Sequence, residues 1–404
     1  MRILLINDYG TPTGGAEVQF IGLQKELRNR GHDVRLFTSS ARPTEVASAA
    51  DYECFGTTSR FRTLLQTANP WAWQRLRQVL NDFQPNVVHV KIFLTQLSPL
   101  ILPLLRNIPS LCHVVWYRPV CPTGTKMLPN GTPCQVHYGK ACYSNGCLPL
   151  HDWAPLMLQM QLWRQWQHVF DLIVANSTTT KHHLLAEGIE PVDIIWNGVT
   201  PRTELVPLAT RPTAVFAGRL VWEKGIDTLI RAFGEVAQHI PDAQLLIAGE
   251  GPEYATLQAL IDAQGLHQQI SLLGRLSRDD LERAFASAWV QVVPSRWDEP
   301  FGIVAAEAAM RGTAVVASNT GGLVEIIQED HTGYLVPPDN EEKLANALHK
   351  LLGSHDQAEQ MGRNGHTVAM TNFNEIRNAD QFLERYEMLS QKKYTAGIAP
   401  KPAR

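Results

Sequence analysis

The sequence predicts an α/β protein made of two Rossmann-like, doubly wound parallel-sheet domains facing across a cleft. Three observations lead there. The chain has 404 residues, more than a single hydrophobic core usually supports, so two domains are expected. Short apolar runs alternate with stretches of helical spacing in both halves, the rhythm of βαβ units. Several of those runs end in glycine or Pro-Ser, and in open parallel sheets ligands bind beyond the strand carboxyl ends.

In chain order, RILLIN (2–7) is a strand running into a glycine-rich loop, AEVQFIGLQKELRNRG is a helix stopped at Gly31, and VRLFTS (34–39) is the next strand. NVVHV (86–90), LCHVVWY (111–117) and DLIVANS (171–177) complete the strands of the first half. The second half repeats the pattern at TAVFAG (213–218), AQLLIAG (243–249), QISLLG (269–274), WVQVVP (289–294), AVVAS (314–318) and GYLV (333–336). Between the halves, the Pro- and Thr-containing stretch 197–212 lacks periodicity and reads as a linker. The domains are therefore expected over 1–196 and 213–374. An amphipathic helix over 375–391 follows, then a disordered tail over 392–404.

Composition is that of a globular protein, 44% hydrophobic and 19% charged, with net charge −3, which lends no support to a nucleic-acid partner. Charge is uneven: residues 1–196 hold 17 Lys and Arg against 13 Asp and Glu, a net of +4, leaving −7 for the rest. No acidic residue lies between Asp82 and Asp152, a span that contains Lys91, Arg106, Arg118, Lys126 and Lys140. That basic half can face an anionic partner or be a solvated surface. The N-terminus has no long apolar core after a basic start, and the apolar stretch 92–116 is interrupted by Pro99, Pro103, Arg106 and Pro109. A cytoplasmic protein is expected, with peripheral contact at the inner membrane face through the first domain.

Four segments carry chemistry. Gly14 and Gly15 precede a helix, where backbone amides and the helix N-terminus favour an anion, although the G-x-G-x-x-G spacing of a dinucleotide site is missing. Arg219 and Lys224 follow a strand end and suit a diphosphate, one as a fork of donors and one as a point charge. The strand-end loops with Gly251 and with Arg275 and Leu276 are of the kind that hold a nucleotide base. Finally, SRWDEPFGIVAAEAAMRG (295–312) sets Glu307 among alanines, with Glu299 eight positions earlier. Pro300 suits a first helical turn, whose free amides at Phe301, Gly302 and Ile303 can bind phosphate. A buried carboxylate needs hydroxyl or cationic partners, and the vicinal diols of a ribose and a hexose supply them.

On these residues the chain is similar to glycosyltransferase family 4, retaining enzymes of the GT-B fold. The likeness rests on Gly14-Gly15-Ala16-Glu17, Asn197-Gly198-Val199, Gly218-Arg219-Leu220 with Lys224-Gly225, and Gly249-Glu250-Gly251-Pro252. It continues through Pro294-Ser295, Glu299-Pro300-Phe301-Gly302 with Glu307, and Gly321-Gly322. It implies that Glu299 holds the donor sugar's hydroxyls, Glu307 the ribose, and Arg219 and Lys224 the diphosphate leaving group. Gly15 and the amides of Phe301, Gly302 and Ile303 add donors. It further implies a UDP- or GDP-linked hexose as co-substrate, no metal or other cofactor, and front-face attack in which the leaving phosphate takes the acceptor's proton. The first domain is then the acceptor domain, with the 375–391 helix crossing back to it, and the acceptor is a saccharide or a lipid-linked saccharide of polysaccharide, lipopolysaccharide or glycolipid synthesis. A non-catalytic sugar-nucleotide sensor of the same fold, or a dehydrogenase, are the rival readings.

One departure concerns the His-Asp pair that many relatives carry at the end of a middle strand. Here Val115-Trp116 stands in its place, and His113, two residues earlier, is the candidate substitute. Cys121, Cys134, Cys142 and Cys147 cluster without a C-x-x-C pair and read either as free thiols or as a structural zinc site. Seven of the ten tryptophans lie in the first half, and Trp163 and Trp166 share a helix face that is either core or a surface for the acceptor.

Overall fold

A computed structural model of the chain describes residues 1–43, 46–59 and 62–395. It divides into two compact units, one formed by Met1–Gly198 together with the chain from Glu375 on, the other by Val199–Asn374. Each is built on a sheet in which every strand pair is parallel.

The first sheet has seven strands: β1 (Arg2–Tyr9), β2 (Asp33–Ser39), β3 (Tyr52–Cys54), β4 (Val87–Val90), β5 (Ser110–Val114), β6 (Leu172–Ala175) and β7 (Val192–Ile194), in the order β3-β2-β1-β4-β5-β6-β7. β1 is buried continuously from Ile3 to Asp8 because both of its faces are covered, as parallel sheets require. The expected strand over 111–117 stops at Val114, and DLIVANS does not close the series, since β7 follows it. β3 and β7 are three residues each, too short to show an alternating pattern.

The second sheet comprises β8 (Thr213–Ala217), β9 (Gln244–Ala248), β10 (Ile270–Gly274), β11 (Val290–Val293), β12 (Ala314–Ser318) and β13 (Gly333–Val336), in the order β10-β9-β8-β11-β12-β13. Its core joins Phe216, Ile247 and Val292 to Leu229 and Phe233 of the helix Ile226–His239 and to Leu344 and Leu348 of the helix Glu341–Leu352.

In both sheets the strand order reverses once, between β1 and β4 and between β8 and β11. Helices leave opposite faces of the sheet at such a point and a crevice opens beyond the strand ends. The loops after β1 and β8 carry Gly14-Gly15 and Arg219-Lys224, and the loop after β11 carries Glu299.

The last helix spans Glu375–Thr395, longer than the expected 375–391, and the rest of the expected tail, 396–404, lies outside the described residues. Ala379, Phe382, Tyr386 and Leu389 of this helix are buried in one cluster with Ile3, Leu5, Phe20 and Val174. The helix is thus part of the first unit's core. Phe382→Ala, which empties a fully buried site, is expected to lower the unfolding free energy by about 3–5 kcal/mol, read from urea unfolding with the slope unchanged.

Candidate functional site

The reversal point of the second sheet brings a lysine and a buried glutamate into contact. Lys224 ends a single turn of 3₁₀ helix, Trp222–Lys224, and its Nζ donates to Glu299 Oε1 at 2.5 Å. Ser295 Oγ donates to the same oxygen at 2.6 Å, and the Lys224 ammonium lies 5.2 Å from the Trp297 ring centroid. Burial alone would raise the Glu299 carboxyl, but the Lys224 charge and hydrogen bond, with the Ser295 hydroxyl, outweigh it and hold the group below its ordinary value. Ser295 entered the sequence reading only as part of the Pro294-Ser295 motif and Trp297 not at all, because only the fold brings them to the carboxylate.

The helix expected to start at Pro300 begins three residues later, at Ile303, with Gly302 as its N-cap. Gly302 has φ +98°, and a Cβ there would lie 2.5 Å from Leu323 Cδ2. Phe301 is buried against Phe373 with ring centroids 5.7 Å apart. No side chain caps this N-terminus and its first turn contains no acid, so the Ile303 and Val304 amides point outward as donors for an anion. Gly321, at φ +58°, presses its backbone on Glu299: a Cβ there would fall 2.4 Å from both Glu299 N and O. The Gly322 amide donates to the Glu299 carbonyl at 2.7 Å. These glycines fix the loop that aims Glu299.

Glu307 lies on the same helix and opens on a cavity of about 390 Å³ lined also by Thr200, Arg202, Arg278, Asp279, Glu282 and Met310. Burial pushes its carboxyl up, while Arg278, 3.7 Å away, and then Arg311 pull it down. Arg311 is itself buried and donates to Gln291 at 3.0 Å and to Glu282 at 3.4 Å. Arg278, Arg311 and Glu282 are therefore partners the sequence did not disclose.

Other candidates are not drawn into this cluster. The Arg219 guanidinium is 66% exposed and pairs only loosely with Glu223, at 3.4 Å. Arg275 is exposed, and Leu276 leans on the small apolar cluster around Phe285. At Gly251 a Cβ would stand 2.2 Å from the Leu220 carbonyl, so close backbone packing already requires glycine there.

In the first unit Gly14 is the N-cap of the helix Gly15–Asn29, with both glycines exposed. His113, the candidate substitute for the missing pair, is deeply buried. The ring is 2% exposed, 5.5 Å from the His89 ring and 5.0 Å from Phe382, with burial pushing its value well down. The neutral imidazole on the covered face of β5 opens only on a small cavity that it shares with Lys91 and Asn197. The structural-zinc reading of Cys121, Cys134, Cys142 and Cys147 is not supported. Among the described residues no group of three or more His, Cys, Asp or Glu is placed to hold a metal ion, and all six cysteines are free. Cys121 Sγ meets Thr123 Oγ1 at 3.1 Å whereas Cys134 Sγ meets the Val136 carbonyl at 3.7 Å. Trp163 is core, 1% exposed, donating to the Pro119 carbonyl at 3.0 Å.

Two family models match consecutive parts of the chain: Glycosyltransferase Family 4 over residues 13–203 and Glycosyl transferases group 1 over 202–368. The chain belongs to this glycosyltransferase family. It is 30% identical over 179 residues to an alpha-D-kanosaminyltransferase of Streptomyces kanamyceticus, covering 44% of this chain and 46% of the relative. It is 35% identical over 164 residues to a GDP-mannose-dependent alpha-(1-6)-phosphatidylinositol monomannoside mannosyltransferase of Mycobacterium tuberculosis, covering 39% and 43%. The matches span about half the length of these curated relatives. Sucrose-phosphate synthase from Thermosynechococcus elongatus shares the fold at a TM-score of 0.75 and 23% identity, over 97% of this chain and 100% of that one. Anabaena HepE in complex with UDP and glucose does so at 0.68 and 19%, over 96% and 100%. The fold is GT-B.

Lys224→Met strands a buried carboxylate and is expected to cost about 3–5 kcal/mol of stability near neutral pH. In the wild type the depressed Glu299 stabilises the fold above its unfolded value near 4.5, and this is lost as pH falls through the native value. In Lys224→Met burial is opposed only by the weaker hydrogen bonds from Ser295 and Trp297, the sign is expected to reverse, and stability then falls as pH rises. Urea unfolding of both proteins between pH 4 and 8 reads this.

Proposed function

We propose that the protein transfers a hexose, with retention, from a nucleoside diphosphate to an acceptor hydroxyl. The observation that carries this reading is the buried Lys224–Glu299 pair beside an uncapped helix N-terminus, on the helix whose Glu307 opens on a nucleoside-sized cavity. Without a donor, ammonium and carboxylate satisfy each other. A bound donor offers each a better-matched partner, diphosphate oxygens for Lys224 and sugar hydroxyls for Glu299. The Ile303 and Val304 amides then share the negative charge that grows on the leaving diphosphate, where fixed dipoles act most strongly. Glu307 takes the ribose diol, with Arg278 beside it. Gly14 and Gly15 offer backbone donors for phosphate at the start of their own helix, and Arg219, exposed and loosely held, is free to swing onto phosphate.

The base is UDP- or GDP-linked: HepE was solved with UDP and glucose, and the mycobacterial relative is named for GDP-mannose. A thermal-shift panel of UDP, GDP, ADP and TDP with their sugars separates these. Glu307→Ala is expected to abolish the donor-induced shift, and Lys224→Ala to slow transfer by about 10²–10³-fold with a smaller change in donor binding. Wild-type turnover in Lys224→Ala removes the leaving-group role. The withdrawal of His113 into the core favours a second reading, a non-catalytic sugar-nucleotide sensor. Tight donor binding with neither transfer nor donor hydrolysis would select it.

The acceptor proposed is a lipid-linked saccharide. No helix among the described residues is long and apolar enough to cross a membrane. The first unit instead exposes Leu64, Trp71 and Phe55, the last two in edge contact at 5.3 Å, with Arg75 and Arg77 on the same helix as Trp71. Sedimentation with anionic liposomes at low salt is expected to bring the protein down, and Leu64→Ser with Trp71→Ser to reduce binding about tenfold. No binding by the wild type removes the membrane argument.

A further inference from the structure

Lys91 is a buried cation that the transfer reading leaves unused. It follows β4 directly and so stands at the reversal point of the first sheet, next to the chain that leaves β1 for Gly14 and Gly15. It is 4% exposed, donates from Nζ to the Ala16 carbonyl at 3.0 Å, and lies 5.4 Å from the Phe20 ring centroid. Glu17, also buried, supplies the opposing charge. The Glu17 carboxylate folds back on its own amide and the Thr13 hydroxyl, and its Oε2 sits 3.1 Å from where a Cβ on Gly14 would be. One buried pair thus joins β4, the first turn of the Gly15–Asn29 helix, and the glycine loop. A methionine would fill the same space without burying a charge, so the ammonium is explained by what it holds.

We propose that Lys91 is a positioning residue whose protonated side chain holds the Ala16 carbonyl and attracts the Glu17 carboxylate, keeping the Gly14–Gly15 loop in its anion-binding conformation. The proposal rests on the assignment of that loop to the donor. The groups that face Lys91 allow its charge to act as the variable. Glu17 comes from the first helix. Asp8, at the end of β1, is held by the amides of Thr95, Gln96 and Leu97. His89 on β4 and His113 on β5 are kept neutral by burial, and Tyr386 of the last helix stays protonated for the same reason. Glu375 and Asn197 border the small cavity that Lys91 shares with His113. Burial pushes the Lys91 ammonium down to about 7 against the pull of Glu17. The hold is therefore lost as pH rises through about 7, and the burial-raised Glu17 carboxyl bounds it on the acid side.

The full chain, with Lys91→Met and Lys91→Arg variants, is followed without donor by amide hydrogen exchange of residues 10–20, corrected for intrinsic rates. The wild type is expected to exchange about tenfold faster at pH 8.5 than at pH 6 in this segment, Lys91→Met to be fast at both, and Lys91→Arg slow at both. Donor KM is expected to follow the same three patterns, with kcat within about threefold of wild type. A Lys91→Met protein as protected as wild type at pH 6, or with an unchanged donor KM and pH profile, overturns the proposal. Should Lys91→Met fail to fold, a Lys91→Arg protein that keeps the wild-type pH step overturns it equally. A wild type that binds no nucleotide-sugar sinks the donor assignment, whereas the exchange pattern still decides whether Lys91 holds the loop.

Discussion

The buried pair of Lys224 and Glu299 is the interaction on which the site depends. Taking a carboxylate out of water is costly unless a cation and further donors compensate it. Here Lys224 and Ser295 both converge on one oxygen of Glu299. The pair spans the point where β8 and β11 part, so each partner comes from a different strand-end loop. It is compatible with a fold only if both loops are held to within a fraction of an ångström, and the surrounding glycines meet that demand. Gly321 and Gly322 let one loop lie flat on the backbone of Glu299 and Phe301, and Gly225 lets the other press on the Pro294 carbonyl, 2.1 Å from where a Cβ would stand.

The two units repeat one solution with different chemistry. Each puts a lysine and a glutamate at the reversal point of a parallel sheet, Lys91 with Glu17 and Lys224 with Glu299. In the second unit the carboxyl is held below its ordinary value because the ammonium touches it. In the first unit the lysine instead donates to a carbonyl, and burial dominates both partners: Glu17 is raised and Lys91 lowered. Direct contact keeps the Glu299 carboxyl low, whereas without such a contact burial decides the direction for both Glu17 and Lys91.

Most of the fold was legible in the sequence. Strands long enough to be buried on both faces, such as RILLIN and AVVAS, announce themselves by unbroken apolar composition, and helix ends by glycine. β3 and β7 escaped because three residues leave no pattern. Pro300 misled for a different reason: its fixed φ suits a first turn, but Gly302 at positive φ interrupts the helical path and delays the start to Ile303. Glu307 was legible as a carboxylate among alanines, Glu299 by its place at the mouth of the same helix, and Lys224 as a cation just past a strand end. Trp297, Arg278 and Arg311 were not, since none departs from its local pattern, and Ser295 was marked only as part of a motif and not as a partner of Glu299. The burial of His113 could not be read either, because position along a strand does not say which face a later helix covers.

By itself the sequence determined the two-sheet architecture, the family, and which acids and cations stand at strand ends, since these follow from local composition and spacing. Only the tertiary structure decided which of them meet. It joined Lys224 to Glu299 across 75 residues of chain, left Arg219 in solvent, and closed the last helix over His113. Such choices are made by strand order and helix packing, which bring together residues distant in the chain and therefore leave no mark in any single stretch of it.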